Sequence, residues 1–462
     1  MVKRIYRKLK HIHMVGIGGT GMNGIAEVLL NLGYQVSGTD LQATEVTERL
    51  ARLGAEVHKG HAADHVRGAD VVVISSAVKD DNVEVQEARR LKIPVIPRAE
   101  MLAELMRMKY GIAVAGAHGK TTTTSMVALV LEHGGFDPTI IVGGRLNTIG
   151  SHAKLGEGEF IVAEADESDR SFLYLSPFIA VLTNIDEEHL DQYRDIDEIK
   201  KTFVNFANKV PFYCPIILCL DDPNLQSLIP QLERRLITYG FSTQADVSAR
   251  IQGFAEFRSS STLFHKGREL GALELQVPGS HNIANAMAAV AVGLDLDIPP
   301  RIILEALGAY TGTGRRFELK KVVNNIMVVE DYGHHPTEIR ATLDAARHGW
   351  SRRLVVVFQP HRYTRLSKLM KTFATAFNQA DVLVTTEVYP AGEAPIPGVT
   401  GRALFSEIQQ FGHKSVHFEP DLKKIPALIA KIAGPNDLII IQGAGNINRI
   451  VPEIIAALEE KS

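Results

Sequence analysis

The sequence predicts an α/β protein with mostly parallel β-sheets, divided into three domains. Apolar runs of strand length alternate with amphipathic segments of helix length, which is the pattern of parallel sheets covered by helices. Runs such as 160–165 and 353–358 are nearly all apolar, as expected of strands buried on both faces. A chain of 462 residues is also longer than one hydrophobic core usually supports.

The alternation divides into three blocks, and we expect domains at 1–108, 109–313 and 314–462. The first block has strand-like runs at 11–17, 34–38, 70–75 and 93–96, with a helix at 22–32. The second has strands at 111–115, 160–165 and 179–184, helices at 123–132 and 284–291, and alternating runs in 246–278 that indicate antiparallel strands. The third has strands at 326–330, 353–358, 381–385 and 438–441.

A glycine-rich turn in the first block indicates a Rossmann-like domain. The turn GIGGTG at 16–21 follows a strand, precedes a helix that starts at Met22, and includes Gly18, Gly19 and Gly21. Asp40 closes the next strand, where an acid can hold ribose hydroxyls. The pattern specifies a diphosphate and a ribose, so a dinucleotide such as NAD and a nucleotide diphosphate such as a UDP-sugar both fit it.

Further polar residues follow the strands of the same block. Ser75 ends the third strand and Arg98 follows the fourth, at the edge where ligands bind in open sheets. A hydroxyl and a guanidinium there could contact phosphate, and His61 could border the base. Ordinary polar loop residues are the competing interpretation for these positions.

The run GAHGKTT at 116–122 indicates a phosphate-binding loop and a central domain that resembles P-loop ATPases. It lies between an apolar strand and a helix, so backbone N–H groups, Lys120 and the helix start would surround an anion, and the hydroxyl of Thr121 could bind Mg²⁺. The loop is shorter than the usual pattern, with two residues between Gly116 and Gly119. A glycine-rich turn with a surface lysine is the alternative.

Acids and an amide in the central block complete the expected ATP site. Glu164 ends a buried strand and could share Mg²⁺ with Thr121, because Mg²⁺ prefers oxygen ligands. His189 follows the next strand among acids and could bind a second ion, although such a histidine is more often a hydrogen-bonded surface residue. Asn282 suits the edge of adenine, with helix capping as the competing role.

Three polar clusters in the third block follow one another at strand ends. They read RRFE at 315–318, DYGHHP at 331–336 and QPHRYTR at 359–365. Arginines and histidines gathered opposite a phosphate loop suit a carboxylate substrate and the charge of a transferring phosphoryl group.

Composition excludes several classes of protein. The formal net charge of −3 argues against a nucleic-acid-coating role, and no apolar run reaches the roughly 20 residues of a membrane helix. A strand-like run and glycines follow the basic start, so we expect no export signal. Cys214 and Cys219 fit no zinc or redox spacing, and we expect inert thiols in the cytoplasm.

The motifs together resemble the Mur ligases, a family of enzymes of bacterial cell-wall synthesis. The resemblance spans nearly the whole chain. It rests on the ordered segments HMVGIGGTGMNGIAEVL, AGAHGKTTTTSM, EADESDRSFL, TNIDEEHLD, GSHNIANAMAA, GRRFE, DYGHHPTEI and QPHRYTRL. It implies that the first domain binds a UDP-sugar, the second binds ATP and the third brings an amino acid.

The resemblance also implies roles for single residues. For the UDP-sugar they are Gly18, Gly19, Gly21, Met22, Asp40, His61, Ser75 and Arg98. For ATP they are Gly116, His118, Gly119, Lys120, Thr121, Thr122, Asn282, Arg316 and Asp331, and for the amino acid they are Tyr332, His334, His361, Arg362 and Arg365. Thr121, Glu164 and His189 would bind two Mg²⁺ ions, and Lys120, Arg316 and His334 would be catalytic. Several siblings use a carbamylated lysine where Phe203 and Val204 stand, so we expect no carbamate.

The implied activity is closest to that of the members that join L-alanine to the carboxylate of UDP-N-acetylmuramate. The carboxylate would attack the γ-phosphorus of ATP, and the alanine amine would attack the resulting acyl phosphate, with His334 or His361 accepting the amine proton. We expect a cytoplasmic monomer or homodimer without nucleic-acid or membrane partners. Two alternatives remain: a sibling that attaches a preformed tripeptide, and an NAD-binding regulatory ATPase.

Overall fold

The computed structural model describes residues 9–19, 21–75, 77–142, 153–188 and 192–461. Within these ranges the chain forms three β-sheets, of five, ten and six strands, each packed with helices. We call the parts that carry these sheets the first unit (11–107), the central unit (110–308) and the third unit (315–460). The predicted three-domain α/β class with mostly parallel sheets is confirmed.

The first unit is a parallel sheet in the order β3-β2-β1-β4-β5. Its elements are β1 (His11–Val15), α1 (Met22–Asn31), β2 (Gln35–Asp40), α2 (Glu45–Arg52), β3 (Glu56–Lys59), β4 (Val71–Ile74), α3 (Val83–Arg90), β5 (Val95–Pro97) and α4 (Arg98–Arg107). Sequence reasoning missed β3, because this edge strand has only four residues, of which Val57 alone is apolar.

The central unit combines a parallel sheet with an antiparallel extension, in the order β15-β14-β13-β12-β11-β10-β6-β9-β7-β8. Its strands are β6 (Tyr110–Ala115), β7 (Thr139–Ile141), β8 (Ala153–Lys154), β9 (Phe160–Ala165), β10 (Ile179–Leu182), β11 (Pro215–Cys219), β12 (Arg235–Gly240), β13 (Val247–Ala255), β14 (Arg258–His265) and β15 (Arg268–Leu275). Its helices are α5 (Lys120–His133), α6 (Ile196–Ala207), α7 (Pro223–Gln226), α8 (Ser280–Asp295) and α9 (Pro300–Gly308). The antiparallel pairing of β13, β14 and β15 agrees with the expectation for 246–278.

The third unit has the strand order β16-β17-β21-β18-β19-β20, with β16 antiparallel to β17 and the remaining pairs parallel. Its strands are β16 (Glu318–Val323), β17 (Ile326–Asp331), β18 (Arg353–Phe358), β19 (Val382–Thr385), β20 (Val416–Phe418) and β21 (Asp437–Gln442). Its helices are α10 (Pro336–Gly349), α11 (Tyr363–Ala374), α12 (Gly401–Gln410), α13 (Ile425–Ile432) and α14 (Val451–Glu460).

The central strands of each sheet carry the core. The side chains of β6, β9, β10 and β21 are almost fully buried, because helices cover both faces of their sheets. Cys214 and Cys219 are also buried, and burial raises the pKa of each thiol to about 11, which disfavours the reactive thiolate. Among the described residues, no helix combines the length and apolar character needed to cross a bilayer.

Candidate active site

The phosphate loop folds between β6 and α5, and Gly119 makes the turn into the helix. Gly119 has φ +80°, a left-handed conformation that glycine adopts without strain, and α5 begins at Lys120 rather than at the predicted residue 123. His118 O accepts hydrogen bonds from Thr183 Oγ1 at 2.7 Å and Asn184 Nδ2 at 3.0 Å. The end of β10 therefore fixes the loop, and Lys120 and Thr121 lie in the first helical turn, where an anion would bind.

Lys120 is held inside the loop by carboxylates. Its Nζ donates to Gly116 O at 2.6 Å and lies 2.9 Å from Glu167 Oε2. Burial alone would lower the pKa of Lys120, but Glu167 and Asp166 outweigh burial and raise that pKa above its usual range. Burial raises the pKa of Glu167 to about 7, although Lys120 opposes the shift. An incoming phosphate would compete with Glu167 for the ammonium group.

The candidate metal ligands lie around the same loop. Thr121 is in the first turn of α5, and Glu164 is paired in register with Val114 on the adjacent strand. The negative charge of Glu164 is close enough to raise the pKa of Arg316, a residue of the third unit, against the effect of burial. His189 lies outside the described residues, so the second predicted ion has one described ligand, Glu164.

A cavity of about 380 Å³ lies between the central unit and the third unit, beside the phosphate loop. It is large enough for a nucleoside. Its wall includes His118, Gly119, Thr122, Asn184, Asp186, Asn224, His281, Asn282, Arg316, Asp331, Thr337 and Glu338. The structure thus gathers most of the predicted ATP residues around one cavity.

Asn282 and Asp331 line this cavity but also make structural contacts. Asn282 Nδ2 donates to Pro278 O at 2.7 Å, while Gly279 occupies the N-cap position of α8. Asp331 Oδ1 accepts from Gly333 N at 2.8 Å, and Oδ2 accepts from Phe317 N at 3.0 Å. Asp331 therefore also shapes the strand-to-helix turn of the third unit.

A cluster of His118, Asp186 and His335 joins the phosphate loop to the third unit. Asp186 Oδ2 lies 3.0 Å from His118 Nε2 and 3.3 Å from His335 Nδ1, and Glu338 Oε1 lies 3.5 Å from His118 Nδ1. Burial alone would lower the pKa of His118, but Asp186 and Glu338 raise it to about 10. The three ligand atoms lie within 4.8 Å of one another, a spacing that a metal ion could bridge. A protonated His118 has no lone pair for a metal, so we interpret its contacts with Asp186 and Glu338 as ion pairs, the second of which joins the two units.

The glycine turn of the first unit brings the predicted UDP-sugar residues together. Gly18 N donates to Asp40 Oδ2 at 3.1 Å, and Met22 N donates to Gly19 O at 3.0 Å as α1 begins. Gly21 has φ +84°, and a Cβ there would lie 3.0 Å from Arg98 Nη1, so the guanidinium covers the turn. Ser75 lies against the same turn, because a Cβ on Gly16 would approach Ser75 Oγ to 2.9 Å.

Arg98 also connects the first unit with the ATP side of the central unit. Its Nη2 lies 3.6 Å from Asp166 Oδ2, and Asp166 is one of the carboxylates whose charge acts on Lys120. The glycine turn and the phosphate loop therefore face each other across one ion pair.

His61 is anchored to a buried carboxylate. Its Nδ1 lies 3.1 Å from Glu84 Oε2 and 3.0 Å from Thr39 Oγ1. Glu84 is fully buried at the start of α3, where the amphipathic sequence alone would place a solvated acid. Sequence reasoning therefore found His61 and missed the group that orients it.

Four of the five predicted amino-acid residues of the third unit contact one another in a chain: Tyr332, His334, His361 and Arg365. The ring of His361 lies 5.6 Å from that of His334 and is stacked on Tyr389 at 5.6 Å. Arg365 Nη1 donates to His361 Nδ1 at 3.2 Å, and Arg362 is the N-cap residue of α11. Tyr332 and His334 also make an edge-to-face contact at 5.5 Å.

His334 and His361 lie in different electrostatic surroundings. Burial, with the positive charges of His334, Arg365 and Arg362, lowers the pKa of His361 to about 3. His334 Nδ1 lies 3.1 Å from Tyr332 O, and its Nε2 lies 3.6 Å from Glu188 Oε1. Because a carbonyl only accepts, Nδ1 of His334 carries a proton and leaves Nε2 to face Glu188.

The functional neighbours that sequence reasoning missed are mostly acids. Glu167, Asp186, Glu188 and Glu338 each contact a predicted site residue across a loop or between units. Glu167, Asp186 and Glu188 stand within the segments EADESDRSFL and TNIDEEHLD, so their sequence position was a signal, but their partners depend on how the units pack.

Comparison with known proteins gives consistent results over the whole chain. Mur ligase sequence models match residues 11–110 (catalytic domain), 114–293 (middle domain) and 315–445 (glutamate ligase domain). UDP-N-acetylmuramate–L-alanine ligase of Syntrophotalea carbinolica is 57% identical over 457 residues, covering 99% of this chain and 100% of that protein.

Solved structures give the same assignment. UDP-N-acetylmuramate–alanine ligase of Thermotoga maritima has a TM-score of 0.83 and 29% identity, covering 98% of this chain and 100% of that chain. A murein peptide ligase of Psychrobacter arcticus has a TM-score of 0.71 and 25% identity, covering 97% of this chain and 99% of that chain. This chain belongs to the Mur ligase family.

Proposed function

We propose that this protein is an ATP-dependent ligase that joins L-alanine to the carboxylate of UDP-N-acetylmuramate during peptidoglycan precursor synthesis. The observation that carries the proposal is the ion pair of Arg98 with Asp166, which links the glycine turn of the first unit to the carboxylates around Lys120. The choice of alanine is supported by 57% identity over 457 residues to a relative named for that reaction. The peptide ligase is less similar in both sequence and structure.

In this proposal residues 1–108 bind the UDP-sugar, 109–313 bind ATP, and 314–462 bind alanine, with the site residues predicted from the sequence. The reaction consumes ATP and takes place in the cytoplasm, in a monomer or a homodimer. No role for nucleic acid or membrane insertion is required.

The residues around the phosphate loop suit Mg²⁺. Thr121 supplies a hydroxyl and Glu164 a half-buried carboxylate, and hard oxygen ligands of this kind are what Mg²⁺ prefers. We infer that both would hold a first ion, and that Glu164 and His189 would hold a second. When bound, Mg²⁺ neutralises phosphate charge. Lys120 and Arg316 would bind the same phosphates from opposite units.

The chemistry has two steps. The carboxylate of the sugar attacks the γ-phosphorus of ATP, which gives an acyl phosphate and ADP. The uncharged amine of alanine then attacks the acyl carbon, and phosphate leaves as the amide forms. Closure of the units over the acyl phosphate excludes water, which would otherwise hydrolyse it.

His334 is the better of the two candidates for the amine proton. In the neutral ring, with the proton of Nδ1 donated to Tyr332 O, Nε2 has a lone pair for the amine proton, and Glu188 beside it would stabilise the imidazolium. His361 accepts from Arg365 through Nδ1, so its proton is on Nε2 and it acts as a donor, suited to the alanine carboxylate.

An assay with each substrate withheld in turn tests the function. We expect sustained ADP release with UDP-N-acetylmuramate, ATP and L-alanine together. When hydroxylamine replaces alanine, it should trap the acyl phosphate as a hydroxamate of the UDP-sugar, again with ADP release. ADP release that depends on a tripeptide instead of alanine would assign the chain to the peptide ligases. Binding of NADH in place of UDP-N-acetylmuramate would support the regulatory ATPase.

A further inference from the structure

Glu84 is a fully buried carboxylate in the first unit, surrounded by hydrogen-bond donors. Its oxygens lie 2.7 Å from Thr39 Oγ1, 2.9 Å from His65 Nδ1 and 3.1 Å from His61 Nδ1. The backbone N–H of residue 62 donates to Oε1 at 3.3 Å. A buried acid with this many donors is a costly feature, because a lost partner leaves a desolvated charge.

The network fixes which nitrogen of His61 carries the proton. Burial alone would raise the pKa of Glu84, but the nearby ring of His13 and hydrogen bonds from Thr39 and His65 lower it to about 2, so the group is ionised. An ionised carboxylate only accepts hydrogen bonds, so Nδ1 of His61 must donate. In the neutral ring, Nε2 is then an acceptor.

The position of His61 in the chain puts it at the edge of the sheet where we expect the base. His61 follows β3, which pairs with β2 at the carboxyl end where Asp40 stands. In a Rossmann-like unit the acid at the end of the second strand holds ribose, and the base lies farther from the glycine turn. The side chain of His61 is 18% exposed, so a ligand could reach part of the ring.

We propose that Glu84 is a positioning residue that holds His61 with Nε2 as a hydrogen-bond acceptor, and so favours a uracil base over cytosine. Uracil has an N–H donor at its ring position 3, whereas cytosine has an acceptor there. The inference rests on the proposed function, since it requires a UDP group in the first unit.

Calorimetric binding of UDP and CDP at about pH 8, without ATP or alanine, tests the inference. We expect Glu84→Gln to lower the affinity for UDP by about three- to tenfold and the affinity for CDP much less. The reason is that the amide of Gln can also donate a hydrogen bond, which allows His61 to carry its proton on Nε2 instead. His61→Ala should have a similar effect, and the double variant should add nothing further, since Glu84 acts through His61.

His65→Asn is the matched control. It keeps an N–H donor for Glu84 but leaves His61 unchanged, so UDP affinity should stay within about twofold. Nitrogen-15 NMR of His61 in the unsubstituted protein gives an independent measurement, which holds even if Glu84→Gln fails to fold.

The outcomes separate the two proposals. If the unsubstituted protein binds no UDP, both the proposed function and this inference are wrong. If it binds UDP but Glu84→Gln leaves the ratio of UDP to CDP affinity unchanged, or if His61 carries its proton on Nε2, the inference alone is overturned.

Discussion

Glu188 of the central unit and Arg365 of the third unit form an ion pair of 2.8 Å in which both side chains are nearly buried, at 6% and 9% exposure. The same carboxylate lies 3.6 Å from His334 Nε2. One acid after β10 therefore contacts two residues of the proposed alanine pocket, and it joins the central unit to the third unit at that pocket.

Removal of the Glu188 carboxylate should impair the use of alanine more than the binding of nucleotide. Glu188→Gln leaves Arg365 buried without its counter-charge, which typically costs about 3–5 kcal/mol. We expect kcat/KM for L-alanine to fall at least about tenfold, while calorimetric ADP affinity stays within about twofold. Glu187→Gln, at the exposed neighbouring position, is the control. Equal losses in both variants would contradict this expectation.

Lys120 should be indispensable for turnover. Its Nζ donates hydrogen bonds to Gly116 O and to Glu167, so the ammonium group is held beside the loop where a phosphate would bind. We expect Lys120→Ala to lower kcat by about a hundredfold or more, a typical loss when one group that stabilises the transition state is removed. Lys154→Ala, on a surface strand of the same unit, should retain activity. Near-normal ligation by Lys120→Ala would remove the loop from the mechanism.

The fold could be read from the sequence where strands are buried on both faces. The bounds of β9 and β18 agree with those predicted, because an uninterrupted apolar run has one interpretation in this context. Edge strand β3 was missed because half of its residues are charged. The start of α5 was predicted three residues late, because its first turn consists of Lys120 and threonines, which are polar residues that belong to the phosphate loop.

The candidate site was predictable only in part. Motif residues follow parallel strands, so their meeting at one sheet edge follows from topology. The partners of Arg98 and Arg365 come from another unit, and no local pattern specifies how separate units pack. Glu84 has the sequence environment of a surface acid on α3, and only the three-dimensional approach of His61 and His65 explains its burial.

Arg362 should contribute mainly to alanine binding. It has φ +70° at the start of α11, and its guanidinium is half-exposed, 3.8 Å from Glu393, whereas Arg365 is nearly buried against Glu188. Arg362 is therefore the more accessible guanidinium for an amino-acid carboxylate. We expect Arg362→Ala to raise KM for L-alanine at least about tenfold and KM for ATP less than about twofold, measured by initial rates. A similar rise in both values would count against an amino-acid pocket.

His335 should make the protein sensitive to mild acid. It is the N-cap residue of α10, where its Nδ1 accepts from Thr337 N, and burial together with the charge of His118 lowers its pKa to about 4. In the unfolded chain, His335 binds a proton below about pH 6.5. In the folded chain it does so only below about pH 4, so the free energy of unfolding falls as the pH falls between these values. From pH 7 to pH 5 the titration of His335 should lower the free energy of unfolding by about 2 kcal/mol.

The variant His335→Asn keeps a capping side chain but does not titrate. Its free energy of unfolding, from urea titrations at both pH values, should therefore decrease less than that of the unsubstituted protein. His348→Asn, at an exposed histidine of the same helix, should leave the decrease unchanged, and an equal decrease in His335→Asn would show that His335 is not buried in its neutral form.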